Sequence, residues 1–285
     1  MNPRYEEKVQ VEINRMLDVG IIELVEESEW ISPMIIQEKK TAGEIRIFVD
    51  LRKLNDACLH DPFTTPFLDE VLENIGGQEI YSFTNGFSGY HQTRIAPEDR
   101  HKTTFVTEGG CYQYTVMPFG LKNTPAIFSR VVIASFKDYI HKFLEVYFDD
   151  WTVFGLVKDH VGNLQMMLDR CRQYQISLNI KKCIFGVPFS ILLGHIVCKH
   201  GLMVDPAMIV IIVNLEASNS VKQLRTALAH TGYYRKFIKG YAQITTPLEK
   251  LLKKYAKYKW TEECQRSFDI LKEKMVSASI LVFPD

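Results

Sequence analysis

The sequence predicts an α+β fold: a body of mixed strands and helices up to about residue 205, then a mostly helical remainder. Three observations carry that reading. Apolar residues recur at helical spacing in several stretches that are opened by Thr–Pro or closed by Gly. Between them lie short β-branched and aromatic runs separated by Gly-containing turns. From Pro206 onward the strand-like runs give way to helical periodicity.

Each element follows from local pattern. Val9, Ile13, Met16 and Leu17 share one face of a helix over residues 5–19, which Gly20 ends. Trp30 to Val49 alternates like two strands around a Lys39–Lys40…Gly43 turn. Thr65–Pro66 opens a helix with Leu68, Val71, Leu72 and Ile75 on one face, stopped by Gly76–Gly77. Residues 102–107 and 111–116 pair across Glu108–Gly109–Gly110, and Thr124–Pro125 starts a helix carrying Phe128, Val132, Phe136 and Ile140. A helix over 159–174 is followed by strands near 176–180, 183–187 and 191–204. Further on, Thr261 starts a helix with Glu262 and Glu263 in its first turn and Cys264, Phe268, Leu271 and Met275 beneath.

The 285 residues fit one large or two to three packed units, with 46% hydrophobic and 24% charged residues, as in ordinary soluble proteins. Net charge is zero but unevenly spread: residues 1–30 hold eight acidic and three basic side chains, residues 235–260 eight basic and one acidic. The basic stretch interleaves Lys with Tyr and Trp, which suits either phosphates and bases or a solvated helix face. Six cysteines without a CxxC pair fit a reduced, intracellular compartment, and the His195, Cys198, His200 and Cys183 spacing matches no standard zinc ligand set. No apolar run near 18 residues and no signal peptide occur, so no membrane partner is expected.

One run carries chemistry. In FLEVYFDDWTVFG, β-formers flank Asp149 and Asp150, which reads as a hairpin presenting two carboxylates at its turn. Adjacent carboxylates raise each other's cost of ionisation, and a divalent cation is the usual reason to concentrate charge in this way; a solvated turn is the bland alternative.

With this hairpin placed, other runs fall into order: VDLRKLN (Val49 to Asn55), FSGYHQ (Phe87 to Gln92), MPFGLKNTPAIF (Met117 to Phe128), LNIKKCIFG (Leu178 to Gly186), LLGHIV (Leu192 to Val197), HTGYYRKFIKGYAQI (His230 to Ile244) and LVFPD (Leu281 to Asp285). In order and spacing the chain resembles the reverse transcriptase segment of a gypsy-type LTR retrotransposon Pol polyprotein. The resemblance implies a right-hand polymerase: interleaved fingers and palm over 1–204, a helical thumb over 205–260, and over 261–285 the start of a connection to an absent RNase H domain.

The activity it implies is RNA-directed DNA polymerisation, with an RNA or DNA template, a primer whose 3′-hydroxyl attacks, and deoxynucleoside triphosphates as partners. Two Mg²⁺ ions, or Mn²⁺ in their place, would assist. By resemblance Asp149 and Asp150 hold the metals and Tyr147 packs beneath the turn toward nucleic acid. Tyr90 matches the aromatic residue that excludes a 2′-hydroxyl. Lys39, Lys40 and Arg46 match finger residues that grip the triphosphate, and Phe119 and Gly120 line the nucleotide pocket. Gly194 and His195 fall where the primer terminus is gripped, Arg235, Lys236 and Lys239 lie in the basic thumb, and Lys182 is a candidate proton donor to pyrophosphate.

The pattern breaks at one position. The family places a third metal-binding Asp five residues before the sugar-gate aromatic, and this chain has Asn85 there. An amide offers a neutral oxygen and cannot bridge two cations as a carboxylate does. The expectation is a polymerase impaired as encoded, with a catalytically dead nucleic-acid binder or scaffolding remnant of a mobile element as the alternative. The Asn85–Gly86 step is chemically prone to deamidation, which would restore a carboxylate, though slowly if held in a strand. Glu216 to Asn219 replace an often proline-rich linker. Together with Asn85, the absence of protease and RNase H regions suggests a decayed or fragmentary copy of a mobile element. The expected location is intracellular, cytoplasmic or within element particles, and the expected assembly a dimer or a larger Pol polyprotein.

Overall fold

Val9 and Ile13, the predicted inner face of the first helix, are buried with Ile22, Ile45, Val49, Phe105, Tyr112 and Tyr114. The computed structural model describes residues 3–38, 45–63, 66–87, 89–255, 257–277 and 281. In chain order, helix α1 (Pro3–Asp18) leads to strands β1 (Ile22–Leu24), β2 (Met34–Glu38) and β3 (Ile45–Val49), helices α2 (Arg52–Ala57) and α3 (Leu68–Ile75), and strand β4 (Ile80–Asn85). A 3-10 turn (Gly89–Gln92) precedes β5 (Phe105–Thr107), β6 (Gly110–Tyr114) and helix α4 (Thr124–Phe136). The hairpin β7 (Leu144–Tyr147) and β8 (Asp150–Gly155) then leads into helix α5 (Val157–Gln173). Strands β9 (Ile184–Val187), β10 (Phe189–Leu192), β11 (His195–Cys198) and β12 (Gly201–Val204) precede four helices: α6 (Pro206–Val213), α7 (Val221–Tyr233), α8 (Tyr241–Lys250) and α9 (Glu262–Val276).

The strands form a four-stranded sheet in the order β7-β8-β4-β9, two three-stranded sheets (β1-β6-β5 and β10-β11-β12) and the β2-β3 hairpin. β2 and β3 pair antiparallel as read from sequence, with Gln37 opposite Arg46; the intervening Lys39 and Lys40 lie outside the described residues. The 191–204 run is not one strand but the greater part of the β10-β11-β12 meander, because left-handed backbone at Leu193 and Gly194 folds it back. Leu178 contributes a single antiparallel bridge to Gly86, and Ile180–Lys182 is a 3-10 turn rather than strand. Ile140 lies beyond α4, in the turn that feeds β7.

Side-chain caps set the starts of α6, α7 and α9, whereas α8 starts after Gly240 without one. Asp205 accepts from the Ala207 N–H at α6, Ser220 from Gln223 at α7, and Thr261 from Cys264 at α9. The chain divides into two compact units. The first (Met1–Phe67, Phe83–Val153, Gly162–Ile184) holds the α1–β6 core and a second core where Phe128, Val132 and Phe136 of α4 meet Trp151, Val153, Met167 and Cys171. The second (Leu68–Ser82, Phe154–Val161, Phe185–Asp285) is built on Ile212, Leu224, Tyr234, Leu248, Phe268, Leu271 and Met275. α9, expected at the start of a connection, packs against α6 and α8 in this same core.

Candidate functional site

Tyr147 pairs with Asp150 across the β7–β8 hairpin, so Phe148 and Asp149 are the two turn residues. Phe148 sits at φ 51°, a left-handed conformation unusual for a bulky residue. Two bonds hold it. The indole N–H of the fully buried Trp151 donates to the Phe148 carbonyl at 2.9 Å, and the Gly86 N–H donates to the Asp149 carbonyl at 2.8 Å. The Tyr147 ring meets Phe148 edge-on at 4.9 Å.

The two carboxylates differ. Asp150 is exposed, whereas Asp149 is half-buried with an Oδ1 that is buried and has no hydrogen-bond partner among the described residues. Burial raises the Asp149 pKa, the adjacent Asp150 raises it further, and Lys182 pulls it back. Lys182 itself is exposed.

Asn85 ends β4 beside this pair and donates its Nδ2 to Asp150 Oδ1 at 2.8 Å. A carboxylate only accepts, so the amide presents its NH₂ there. The same backbone is pinned: the Asn179 N–H reaches the Asn85 carbonyl at 2.7 Å, and the Gly86 N–H is engaged with Asp149. Deamidation requires the Gly86 nitrogen to attack the Asn85 side chain, and both groups are held in other bonds. Prolonged incubation should therefore leave a peptide map with intact Asn85.

Around the turn lies an aromatic wall. The Tyr90 ring lies 5.1 Å from Phe119 and 5.9 Å from Phe128, and His91 lies 5.3 Å from Phe119. Burial raises the Tyr90 pKa, with Asp149 adding to the shift. Gly89 permits this closeness, because a Cβ there would lie 2.7 Å from Asp149 Oδ1 and from Phe128 Cζ. Gln92 fastens the loop, donating to the Phe87 and Ser177 carbonyls and accepting from the Ser177 N–H. Asn55 clamps the MPFG turn, donating to the Gly120 carbonyl at 2.8 Å and accepting from the Lys122 N–H at 2.7 Å. Gly89, Gln92, Asn55 and Trp151 were present in the quoted motifs, but spacing alone assigned them no role.

Asn85, Tyr90, Phe119, Asp149 and Asp150 thus belong to one unit, with Lys182 close enough to act on Asp149. Arg46 is exposed on β3 of that unit. Gly194, His195, Arg235, Lys236 and Lys239 belong to the other unit. Lys236 Nζ pairs with Asp69 at 3.1 Å and Glu73 at 3.3 Å, while Arg235 and Lys239 are exposed.

No group of three or more His, Cys, Asp and Glu side chains suited to a metal occurs among the described residues. Asp149 and Asp150, with one orphaned buried oxygen between them, fit a single divalent cation. They do not fit a shared pair of cations, since the third position supplies an amide that donates to one of the carboxylates. No described helix is long and apolar enough to cross a membrane.

A carboxylate hairpin thus stands against an aromatic wall on a fold of mixed helices and antiparallel sheets. The family described as reverse transcriptase (RNA-dependent DNA polymerase) matches residues 37–224, and the chain belongs to that family. It is 30% identical to the retrovirus-related Pol polyprotein from transposon 412 of Drosophila melanogaster over 98% of this chain and 23% of the relative. It is 32% identical to the Pol polyprotein from transposon gypsy of the same fly, over 86% of this chain and 24% of that one. The chain therefore spans about a quarter of these relatives' length. The foamy viral protease-reverse transcriptase in complex with dsDNA shares the fold, with a TM-score of 0.89 and 22% identity over 100% of this chain and 60% of that one. The gypsy-type resemblance and the polymerase fold read from sequence are both borne out.

Proposed function

We propose that this chain is the fingers, palm and thumb of a gypsy-type Pol protein, extending a primer 3′-hydroxyl on an RNA or DNA template, and that Asn85 slows it severely. The observation that carries the reading is the 2.8 Å bond from Asn85 Nδ2 to Asp150 Oδ1 at the carboxylate turn. A divalent cation held by Asp149 and Asp150 would neutralise phosphate charge and favour ionisation of the primer hydroxyl.

The chain's own residues supply the rest. Tyr90, braced by Phe119 and Phe128, fills the space a 2′-hydroxyl would need, and Phe119 and Gly120 flank the base. Arg46, with Lys39 and Lys40, meets the triphosphate, and Lys182 offers a proton to the leaving pyrophosphate. Gly194 and His195 meet the primer end, with Tyr147, Arg235, Lys236 and Lys239 along the duplex. Of these, Lys236 must first exchange Asp69 and Glu73 for phosphate.

Asn85 acts against this machinery twice: it withholds a charge, and it occupies an oxygen of Asp150. Losing a supporting group of a metal site already costs ~10–100-fold in affinity or activity, so Asn85→Asp should raise the rate by at least that factor. The test is primer extension on an RNA template with Mg²⁺ or Mn²⁺, comparing the chain as it stands, Asn85→Asp and Asp149→Ala. Full activity without substitution would refute the impairment. Duplex binding with no activity even in Asn85→Asp would favour a binding module instead, a reading that the Asn85–Asp150 bond also accommodates.

A further inference from the structure

The turn between β10 and β11 is built from residues that do not favour it. Leu192 pairs with His195, leaving Leu193 and Gly194 as a two-residue hairpin loop with φ values of 49° and 72°. Positive φ at both positions is the type I′ pattern, whose first position normally takes Asn, Asp or Gly. A leucine there is strained, because left-handed backbone brings its Cβ too close to the following carbonyl oxygen, so the surroundings must hold it.

What holds it is a pair of adjacent tyrosines at the end of α7. Tyr233 Oη donates to the Leu193 carbonyl at 2.7 Å, and Tyr234 Oη donates to the Gly194 carbonyl at 2.9 Å. His195 Nδ1 donates to the same Leu193 carbonyl at 2.9 Å, and the His195 ring lies 5.3 Å from Tyr233, 5.2 Å from Tyr234 and 5.7 Å, stacked, from Phe237. Tyr234 is 1% exposed, and burial lifts its hydroxyl to about 12, so it remains a donor at any working pH. The fit is tight, since a Cβ on Gly194 would lie 2.9 Å from Tyr234 Oη.

We infer that Tyr233 and Tyr234 are positioning residues for primer engagement: their hydroxyls impose the Leu193–Gly194 turn, and the turn meets the primer end. This rests on the polymerase reading above, in which Gly194 and His195 touch the primer. A strained turn kept in place by two side chains 40 residues away is a feature that local sequence could have avoided with Asn–Gly. The arrangement links the turn directly to the segment that carries Arg235, Lys236 and Lys239.

The test uses the full chain, its Tyr233→Phe, Tyr234→Phe and double variants, and a DNA duplex with a recessed primer end as probe. Two quantities are read: hydrogen exchange of the peptide spanning 189–198, and duplex affinity at fixed salt, with a blunt duplex as comparison. Removing each hydroxyl should speed exchange and weaken recessed-duplex binding about five-fold, the scale of one hydrogen bond. Blunt-duplex binding should change less. Faster exchange with unchanged preference for the recessed end would overturn the inference, leaving the tyrosines a purely structural role; unchanged exchange would overturn it as well. If the unsubstituted chain binds neither duplex, the polymerase reading has failed, and this inference falls with it. That failure shows in the parent protein, so it is distinguishable from failure of the tyrosines alone.

Discussion

Two hairpin turns, one in each unit, solve the same problem by different means. At Phe148–Asp149 and at Leu193–Gly194 the loop has two residues, and its first is a bulky side chain at positive φ. In both, the two loop carbonyls are captured from outside. The first turn uses the indole of Trp151, the second residue of the returning strand, and the backbone of Gly86 beside Asn85. The second uses the phenols of Tyr233 and Tyr234, far along the chain, with the Asp205 N–H adding a longer 3.3 Å bond to the Gly194 carbonyl. The first is therefore fixed by the sheet that carries the carboxylates, and the second answers to a helix end. On the proposed reading, the turn that would carry chemistry has the rigid solution, and the turn that would meet a duplex is set by the helices around it.

The sharpest way to break this contrast is Trp151→Ala. The side chain is fully buried against Phe136 at 5.4 Å and carries the turn bond, so truncation should cost about 3–5 kcal/mol. Urea unfolding should show a midpoint lowered in proportion. Trp151→Phe keeps much of the packing and should cost nearer ~1 kcal/mol through the missing donor.

Next in size is a methyl added beside each turn. Gly89→Ala drives Cβ into Phe128 and Asp149, and Gly194→Ala drives it into Tyr234 at a positive φ. Overpacking of this kind costs about 1–3 kcal/mol. The two variants should separate in function: Gly89→Ala displaces Asp149 and should weaken cation binding measured by calorimetry, whereas Gly194→Ala should leave it unchanged.

These contacts also mark where sequence reading stops. The carboxylate hairpin, the caps at Thr261 and the inner face of α1 were legible, because each is written within a few residues as period, turn or cap. So was the place of Asn85, by its distance from Tyr90. Gly89 against Asp149, Trp151 on Phe148 and the tyrosines on the β10–β11 turn depend on hydrogen bonds and close approaches that have no periodicity to detect. The meander within 191–204 was hidden for the same reason, since Leu–Gly is a poor local turn signal and its fold-back is imposed from elsewhere. Lys236, grouped with its basic neighbours by composition, is paired to α3 by contacts about 165 residues away in sequence.

A smaller substitution tests whether the strain is real. Leu193→Asn places a residue that tolerates left-handed backbone and should stabilise the fold by about 1 kcal/mol. Phe148→Asn relieves the same torsion but gives up the ring contact with Tyr147, itself worth about 0.5–1.5 kcal/mol, and should be neutral or destabilising. Opposite signs in urea midpoints would separate the two turns; equal gains would show that the Tyr147 contact contributes little.

The least effect is expected from pH, and its sign differs between the turns. His195 is held below the ordinary histidine value mainly by burial, with Lys236 adding to that and the Leu193 carbonyl and Asp69 opposing it. His91 and His160 are lowered by burial as well. For each, the folded state resists a proton that the unfolded chain accepts near 6.5, so stability is complete above that value and declines as pH falls through it toward the lower folded value. Asp149 is raised by burial and by Asp150, so the folded state takes up its proton more readily and gains stability as pH falls through that raised value. Because the unfolded histidines take up protons near 6.5, thermal midpoints should drop between pH 7 and pH 5.5. Replacing His195 by Gln, which can still donate toward the turn, should flatten its share of that drop, whereas Asp149→Asn removes a contribution of opposite sign and should not lessen it. A midpoint that stays level across the window would mean that these imidazoles are solvated well enough to charge in place, and that the second turn does not depend on a neutral His195.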